Sequence, residues 1–549
     1  MQNPTTDFHV LLPNNPFVPP NGHLCFIDKL SPELLSYIFK IALADEGTGD
    51  DEDMPVDYWG SLHSDRTAKE KETLDGDLDT QEGLEELESE NEEGDRNETG
   101  DGDGYTDATG SSDRCESYIP FSIVISHVCR YWRNVVFSIP SLWTSLFVSP
   151  NTRPPYELLS ALLQRSRQLP IDIYINYDPL DYRSEVEEPD DDDVELLFSM
   201  LTPHIHRWRT VELAVSDYYH MHCFLEAVSG SSVLAAPRLT TLGLYHNDGE
   251  MGEFENRADL SKRLTLFGGL VPSLTTLVLW GVHVDLDQPW ISSAPNLTYL
   301  SLGYHSGGFR PSWVQFVTIL RGAPGLKQLT LRQSGPSGEP PEWFIEQISG
   351  GSADLSGPIQ LLQLSDFTLS DYYSPAHAIG LFRKLYLPAL KKLTLDLDNG
   401  DYTDLVHELV GPATSQLAAE EQPRSLLNRL ESLNIEELLC PDEYIETLYG
   451  ELQNLTTLKL SLRRLPLQFL SILGTPCTLT GRGDVWLPRL KELQVSGACG
   501  SSLRETVQKR KEMGVPISAL YVSTNSHVLL EDGVWLRENL ETLDYGLPT

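Results

Sequence analysis

The stretch Pro272-Ser-Leu-Thr-Thr-Leu-Val-Leu279 carries a motif, Leu-x-x-Leu-x-Leu preceded by Pro, that recurs along the chain. At spacings from 23 to 40 residues, its first position is occupied by Leu239, Leu274, Leu297, Leu326, Leu390, Leu430, Leu455 and Leu490, and in weaker copies by Trp208, Leu364 and Ile517. The alternation of the last two leucines predicts a β-strand in each copy. Because one such unit cannot cover its own apolar side, about ten copies predict a stack in which neighbours bury one another's leucines.

Segments with helical periodicity lie between the predicted strands, for example at 312–320 and 444–452. One strand and one helix in each unit predict an α/β fold. The motif resembles leucine-rich repeats over roughly residues 200–525. This resemblance implies a solenoid with the form of a horseshoe.

The repeats depart from that family after the last leucine of the motif, where the family carries an asparagine. Asn247 is present in one copy, but other copies carry His305, Ser334, Asp398 or Arg463. We therefore expect other groups to satisfy the backbone on this side of the repeats, and we expect the curve to be irregular.

Charge is distributed unevenly over the 549 residues, which have a formal net charge of -41. A surface that is so negative repels phosphate backbones and anionic lipids, so we expect neither nucleic acid nor membrane as a partner. Residues 45–116 contain 27 Asp or Glu against five Lys or Arg and are poor in Ile, Val and Phe. We predict that this stretch is a disordered acidic insertion.

The seven cysteines are scattered and contain no Cys-x-x-Cys pair, which favours a reducing compartment. The N-terminus has neither the basic start nor the apolar run of a signal peptide. No window approaches about 18 consecutive apolar residues, so no membrane span is expected. These features predict an intracellular protein, in the cytoplasm, the nucleus or both.

Two apolar segments flank the acidic stretch. The first predicts a helix that Ser31 caps, with one apolar face made of Leu34, Leu35, Ile38, Phe39 and Ala42. The second, 121–137, predicts one helix with an apolar stripe made of Ile125, Val128, Cys129, Trp132, Val135 and Val136. A third short element begins at Pro140. So few ordered residues make only a marginal core, which favours contact between these stripes and a partner.

The three segments carry a composite pattern. It reads Leu30-x-Pro32-Glu33-Leu34-Leu35-x-x-Ile38-Phe39, then Val128-Cys129-Arg130-x-Trp132-Arg133, then Pro140-Ser-Leu142-Trp143. This pattern resembles an F-box, most closely the F-box-like proteins that are numerous in mushroom-forming fungi. Ser31 stands where that family often has a proline, and the acidic stretch separates the first two helices.

The resemblance implies docking on a Skp-type adaptor subunit and, through it, membership of an SCF-type cullin–RING ubiquitin ligase. The residues expected to carry docking, directly or by shaping the unit, are Leu30, Pro32, Leu34, Leu35, Ile38, Phe39, Val128, Cys129, Trp132, Leu142 and Trp143. By the same resemblance, the repeats bind a protein substrate.

Strand alternation points a second set of side chains away from the leucines. Four of these are of types enriched at binding hot spots, namely Tyr245, Trp280, Tyr299 and Arg332. We expect them to form a substrate-recognition patch. The alternative for Trp280 is packing against a neighbouring loop.

No P-loop, dinucleotide-binding, metalloprotease or nucleophile-elbow motif occurs in the sequence. His204-x-His206 and His220-x-His222-Cys223 supply metal-ligand types, but no second cluster completes a four-coordinate site. We therefore expect no catalytic residue, no metal and no cofactor. The alternative function is a non-catalytic leucine-rich-repeat scaffold or sensor whose F-box-like helices only cap the solenoid.

The expected organisation has five parts. They are an N-terminal tail at 1–23, a three-helix F-box-like domain at 24–148 that the insertion at 45–116 splits, an atypical first repeat or cap at 149–204, a leucine-rich-repeat solenoid at 205–525, and a C-terminal cap or tail at 526–549.

Overall fold

The fold is described from a computed structural model of the chain. It describes residues 30–46 and 120–547, apart from 151, 153, 178–188, 230–234, 247–263, 293, 306–307, 344–356, 373, 412–424, 478–484 and 524–525. The predicted N-terminal tail at 1–23 lies outside the described residues. So does the predicted acidic insertion at 45–116, beyond its first two residues.

A parallel β-sheet runs through the described part of the chain, where it has fourteen strands that neighbour one another in sequence order. The strands are β1 Ser145–Val148, β2 Ile171–Tyr177, β3 Trp208–Val215, β4 Thr241–His246, β5 Thr276–Trp280, β6 Tyr299–Gly303, β7 Gln328–Arg332, β9 Asp366–Tyr372, β11 Lys392–Asp401, β12 Ser432–Leu439, β13 Thr457–Ser461, β14 Glu492–Ser496, β15 Ala519–Ser523 and β16 Thr542–Leu547. Strands β8 (Ile359–Gln360) and β10 (Leu385–Tyr386) form a separate two-stranded sheet.

Helices occupy many of the crossovers that parallel strands require. They are α1 Pro32–Glu46, α2 Phe121–Ser126, α3 Arg130–Ser138, α4 Glu157–Arg165, α5 Asp191–Leu201, α6 Tyr218–Ala227, α7 Pro289–Ser292, α8 Trp313–Gly322, α9 Pro375–Lys384, α10 Thr403–Val410, α11 Asp442–Glu451, α12 Gln468–Ser471, α13 Gly500–Glu512 and α14 Leu530–Asn539. The predicted α/β class is therefore confirmed.

The motif leucines of successive strands lie side by side on one face of the sheet, which we call the leucine face. The register aligns Leu242, Leu277 and Leu300, and all three are buried. Helix α8 shows why the intervening segments are helical, since Ser312 begins it with a capping box and Phe316 is buried in the shared core. This hydrophobic core is continuous from α1 to α14.

Every copy of the motif corresponds to a strand, including the weak copies that open β3, β9 and β15. The sheet also extends beyond the predicted repeat region at 205–525. Strands β1 and β2 precede that region, and β16 follows it by pairing with β15. Leu543 of β16 aligns with Leu520 and continues the row of leucines, which explains why the sheet does not stop at the predicted boundary.

The edge of the sheet at which all strands begin, here called the amino edge, is held by a ladder of side-chain hydrogen bonds. The Thr275 hydroxyl donates to the Thr240 carbonyl at 3.0 Å, and the Thr298 hydroxyl donates to the Thr275 carbonyl at 3.1 Å. Ser365 and Thr456 repeat this bond on later strands. Each hydroxyl thus bridges one repeat to the preceding one.

Two asparagines extend the ladder at the same edge. The Asn296 amide donates to the Pro272 carbonyl at 2.9 Å, and the Asn454 amide donates to the Asn428 carbonyl at 2.7 Å. These bonds satisfy carbonyls at the turns that enter the strands. The family's asparagine lies after the strand, whereas these asparagines lie before it.

At the carboxyl edge, where the strands end, the hydrogen bonds are made by side chains of several different types. Nδ1 of His305 lies 2.8 Å from the Ser334 hydroxyl. Asp398 accepts hydrogen bonds from the Gly400 amide at 3.0 Å and from the Tyr402 hydroxyl at 2.5 Å. These groups stand in the positions where the family has asparagine.

None of the helices that the structure describes combines the length and the apolar character that a transmembrane span requires.

Candidate interaction surfaces

Helix α1 begins as predicted and packs one side against the core. The Ser31 hydroxyl accepts a hydrogen bond from the Leu34 amide at 3.4 Å, so Ser31 caps the helix. Leu35 and Phe39, one turn apart, are buried, and the Phe39 ring lies 4.9 Å from that of Trp132. Leu35 and Phe39 therefore anchor α1.

The second predicted helix, at 121–137, is instead two helices, which corrects the prediction. Helix α2 ends at Ser126, and α3 begins after Cys129, whose extended backbone makes it the N-cap. The Cys129 sulfur accepts a hydrogen bond from the Trp132 amide at 3.4 Å. Because the chain turns at Cys129, Val128 leaves the predicted stripe and is exposed.

The side of α1 next to the buried one is apolar and open to solvent. Leu34, Tyr37, Ile38 and Ile41 follow the spacing of one helical stripe, and their exposed fractions are 54%, 65%, 46% and 44%. We call these four residues the outer α1 face. The apolar face predicted for this helix is therefore divided in its burial: Leu35 and Phe39 are buried, whereas Leu34 and Ile38 are exposed.

The predicted docking residues consequently fall into three groups. Leu35, Phe39, Leu142 and Trp143 are buried; Leu30, Cys129 and Trp132 are partly buried; Pro32, Leu34, Ile38 and Val128 are exposed. Apart from Cys129, the first two groups belong to one hydrophobic core in the helical unit, by which we mean helices α1 to α3 and the short helix at 140–143. The sequence pattern did not identify Tyr37 and Ile41, because it specifies no residue at position 37 and ends at Phe39.

The helical unit shares its core with the sheet. The Trp143 indole donates to the Val136 carbonyl at 3.0 Å, which fixes the short helix at 140–143 against α3. The guanidinium carbon of Arg165, in α4, lies 4.2 Å from the ring centre of Phe137 and 4.6 Å from that of Trp143. Strand β1 then pairs directly with β2, so no flexible linker separates the unit from the first strands.

The side of the sheet opposite the leucines, here called the second face, carries the four predicted substrate-binding residues. Two of them are not available as a surface, which corrects the prediction. Tyr245 and Trp280 are only 1% and 3% exposed and form a small cluster with Ala214 and Val278. Tyr299 is partly buried and packs against this cluster.

Glycines leave the space in which the Trp280 and Tyr245 rings pack against the backbone of the sheet. A Cβ at Gly303 would come within 2.9 Å of the Trp280 ring, and a Cβ at Gly243 would come within 3.0 Å of the Tyr245 ring. The Trp280 ring also packs against Tyr304, at 4.8 Å between centroids. The predicted alternative, in which Trp280 packs on a neighbouring loop, holds for Tyr304, which follows β6, whereas Gly303 is the last residue of β6 itself.

Arg332, the fourth residue of the predicted patch, lies between the aromatic cluster and the charged residues of the second face. Its guanidinium lies 3.6 Å from the Asp396 carboxylate and 5.6 Å from the centre of the Trp280 ring. Both charged side chains are largely buried, so loss of either one would leave the other charge buried without this partner and would destabilise the fold. No sequence pattern predicts this pairing, because Arg332 and Asp396 lie two strands apart in the sheet.

Further along the second face, charged side chains are paired. Lys459 Nζ lies 3.5 Å from Glu436, and Arg464 lies 3.3 Å from Glu437. Burial alone would raise the pKa of Glu436, but Lys459 and the other hydrogen-bonding and basic neighbours lower it overall. The Glu436 carboxylate therefore remains ionised at neutral pH.

The predicted metal-ligand types do not assemble into a site in the part of the chain that is described, where no group of three or more His, Cys, Asp or Glu could hold a metal ion. His220 and His222 are buried in α6, and each lies near a single carboxylate, at 3.9 and 3.4 Å. His220 and His222 are two positions apart on one helix and do not face each other, so they do not share one set of ligands.

No protein-family model matches the chain, and no curated protein matches it. The F-box and leucine-rich-repeat resemblances therefore depend on the residues of this chain alone.

Proposed function

We propose that the chain is a non-catalytic substrate adaptor of an SCF-type cullin–RING ubiquitin ligase. In this proposal the outer α1 face binds a Skp-type subunit, and the repeats, which resemble leucine-rich repeats, bind a protein substrate. The observation that carries the proposal is the exposure of Leu34, Tyr37, Ile38 and Ile41 on a helix whose sequence resembles the first helix of an F-box.

Such exposure is costly unless another surface covers it. Burial of a leucine or isoleucine side chain contributes about 1.5–3 kcal/mol, and contiguous exposed apolar residues are typical of protein interfaces. The neighbouring residues Leu35 and Phe39 already fill the core. The outer residues are therefore not needed to hold α1 in place, which supports a role in binding.

The chain would contribute to the reaction by holding a substrate close to the ubiquitin-charged enzyme. A substrate held on the sheet has a raised effective concentration near the ubiquitin-charged enzyme, and no residue of the chain needs to react. The shared core between the helical unit and the first strands supports this role, because it keeps two bound partners in a fixed relation.

The proposal is tested by co-purification with a Skp-type subunit. A Leu34→Asp, Ile38→Asp double variant should lose the subunit while keeping the melting temperature of the wild type, since both side chains are exposed. A matched control, Leu530→Asp with Val534→Asp, makes the same chemical change on exposed positions of α14. Equal recovery of the subunit with both double variants would contradict the proposal.

A second candidate has one observation in its favour. The core that α1 and α3 share with the sheet also fits the role of a cap that covers the first strands. A scaffold or sensor with such a cap would bind no Skp-type subunit, so the same experiment on the wild-type chain separates the two functions.

A further inference from the structure

Strand β11 has opposite charges at its two ends. Lys391 and Lys392 lie where it begins, at the amino edge of the sheet, and both are exposed. Asp398 and Asp401 lie where it ends, at the carboxyl edge. Since all strands of this sheet are parallel, a charge pattern that neighbouring strands share would give the two edges opposite signs.

The neighbouring strands extend the basic end. Lys327 directly precedes β7, and Arg429 lies shortly before β12; both side chains are exposed. The register places β7, β9, β11 and β12 side by side. Among the residues that the structure describes at this edge, two carboxylates accompany the four basic residues: Asp366, aligned with Lys392, and Glu431, which lies 2.9 Å from Lys391. The amino edge here has excess positive charge in a chain whose formal net charge is -41.

The carboxyl edge of the same strands is acidic. Asp401, Asp404, Asp442 and Glu443 are exposed at the end of β11 and at the starts of α10 and α11. An anionic segment is therefore repelled from this edge and attracted to the other one.

We propose that the amino edge over β7, β9, β11 and β12 binds an acidic, Asp- and Glu-rich segment of a protein, and we call this the basic edge site. It comprises Lys327, Lys391, Lys392 and Arg429. The inference rests on the proposed function in one respect, which is that the acidic segment belongs to the recruited substrate.

The spacing of the site fits an extended peptide. Adjacent strands lie about 4.8 Å apart, so Lys327 and Lys391, two strands apart, present their charges about 10 Å from each other. In an extended chain, residues on one side repeat at about 6.7 Å, and the long lysine side chains accommodate the difference. A carboxylate at every second residue of the bound segment therefore meets successive basic groups.

The existing ion pair does not block the site. Lys391 and Glu431 are both more than half exposed, and a pair of that kind contributes little to stability. A carboxylate of the bound segment can replace Glu431 as the partner of Lys391 at small cost. Because the contacts are exposed charges, binding should weaken steeply as salt is added.

The test uses the full-length chain and a fluorescent peptide of alternating Glu and Ser, with a Gln and Ser peptide as the neutral reference. Anisotropy at low salt should show binding of the acidic peptide and none of the neutral one. The measurement is made in competition with the acidic residues that the chain itself carries at 45–116.

The decisive comparison is between two charge-reversed proteins. Lys391→Glu with Lys392→Glu should weaken peptide binding by about tenfold or more, whereas Lys511→Glu with Arg537→Glu, on exposed positions of α13 and α14, should change it by less than about twofold. A milder variant, Lys327→Gln with Lys392→Gln, should weaken binding without introducing repulsion. This variant keeps the test valid if the Lys391→Glu, Lys392→Glu protein does not fold.

Equal weakening by both charge reversals, or no binding of the acidic peptide by the wild type, would overturn the inference. Neither result bears on the Skp-type subunit, since the basic edge site and the outer α1 face share no residue. Conversely, loss of the proposed ligase function would leave peptide binding unchanged.

Discussion

Leu35 and Ile38 are neighbours, three residues apart, on the surface of helix α1, but the boundary of the core passes between them: Leu35 is 1% exposed, whereas Ile38 is 46% exposed. Leu35 belongs to the core that α1 shares with the sheet. Ile38 belongs to the outer α1 face. One short helix thus has an apolar side that holds it in place and a second apolar side that is free to bind.

The two positions should respond differently to truncation. Leu35→Ala removes buried methyl groups and should lower the free energy of unfolding by about 2–5 kcal/mol. Ile38→Ala should change it by less than about 0.5 kcal/mol, because an exposed side chain loses few contacts. Chemical denaturation of the two variants checks this, and similar losses would contradict the two-sided description of α1.

The amino-edge ladder should contribute to stability through Asn454. Asn454→Asp keeps the size of the side chain but removes the donor to the Asn428 carbonyl, and should cost about 1–2 kcal/mol. Asn134→Asp, at an exposed position of α3, makes the same chemical change as a control. If the two variants unfold at the same denaturant concentration, the ladder bond contributes nothing measurable.

The stability of the fold should depend on the planar guanidinium group of the buried Arg510. Arg510 is fully buried and donates to the carbonyls of Trp486 and Leu487, at 2.9 Å in each case. Lysine carries a single ammonium group in place of the planar fork. Arg510→Lys should therefore destabilise the chain by about 2–4 kcal/mol, whereas Arg537→Lys, at an exposed position, should be neutral. A stable Arg510→Lys protein would show that the fork is dispensable.

Stability should fall in mild acid because of two histidines at the carboxyl edge. Burial, with His246 nearby, lowers the pKa of His283 to about 4; burial, with His283 and Arg310 nearby, lowers the pKa of His305 to about 3. The unfolded chain takes up these protons near the ordinary pKa of about 6.5, so it binds more protons than the folded chain between pH 6.5 and 4. Stability is therefore fully present above pH 6.5 and declines as pH falls through this window.

The slope should approach about 1.4 kcal/mol per pH unit for each histidine. His283→Phe removes one titrating group and preserves a ring that can stack on Phe309, whose ring centre lies 3.9 Å from that of His283. Denaturation midpoints measured from pH 7 to pH 4.5 should fall less steeply for this variant. A wild-type midpoint that is constant over the same range would contradict the assignment.

The sequence predicted the strands well because their signal is local. Leucines at alternating positions, as in Leu277 and Leu279, specify a strand with one buried side wherever they occur. The alternation also predicts the strand in the weak copy that starts at Ile517, two residues before β15 begins. It does not predict β16, where Leu543 continues the row of leucines but only part of the motif is present.

The candidate sites were harder to predict because they depend on contacts between distant residues. Alternation correctly placed Trp280 on the second face, but its burial depends on Gly303 and Tyr304 of the next repeat. Helical periodicity correctly found apolar residues in α1, but the side that packs is decided by Trp132, almost a hundred positions away. The pairing of Arg332 with Asp396 has no sequence signature at all.

Docking of the chain on a Skp-type subunit is measured by calorimetric titration of the full-length chain with the purified subunit. We expect a one-to-one complex with a Kd of about 1 μM or tighter, and loss of the binding signal with the Leu34→Asp, Ile38→Asp protein. Heat of dilution alone for the folded wild-type chain, or full binding by the double variant, would contradict it.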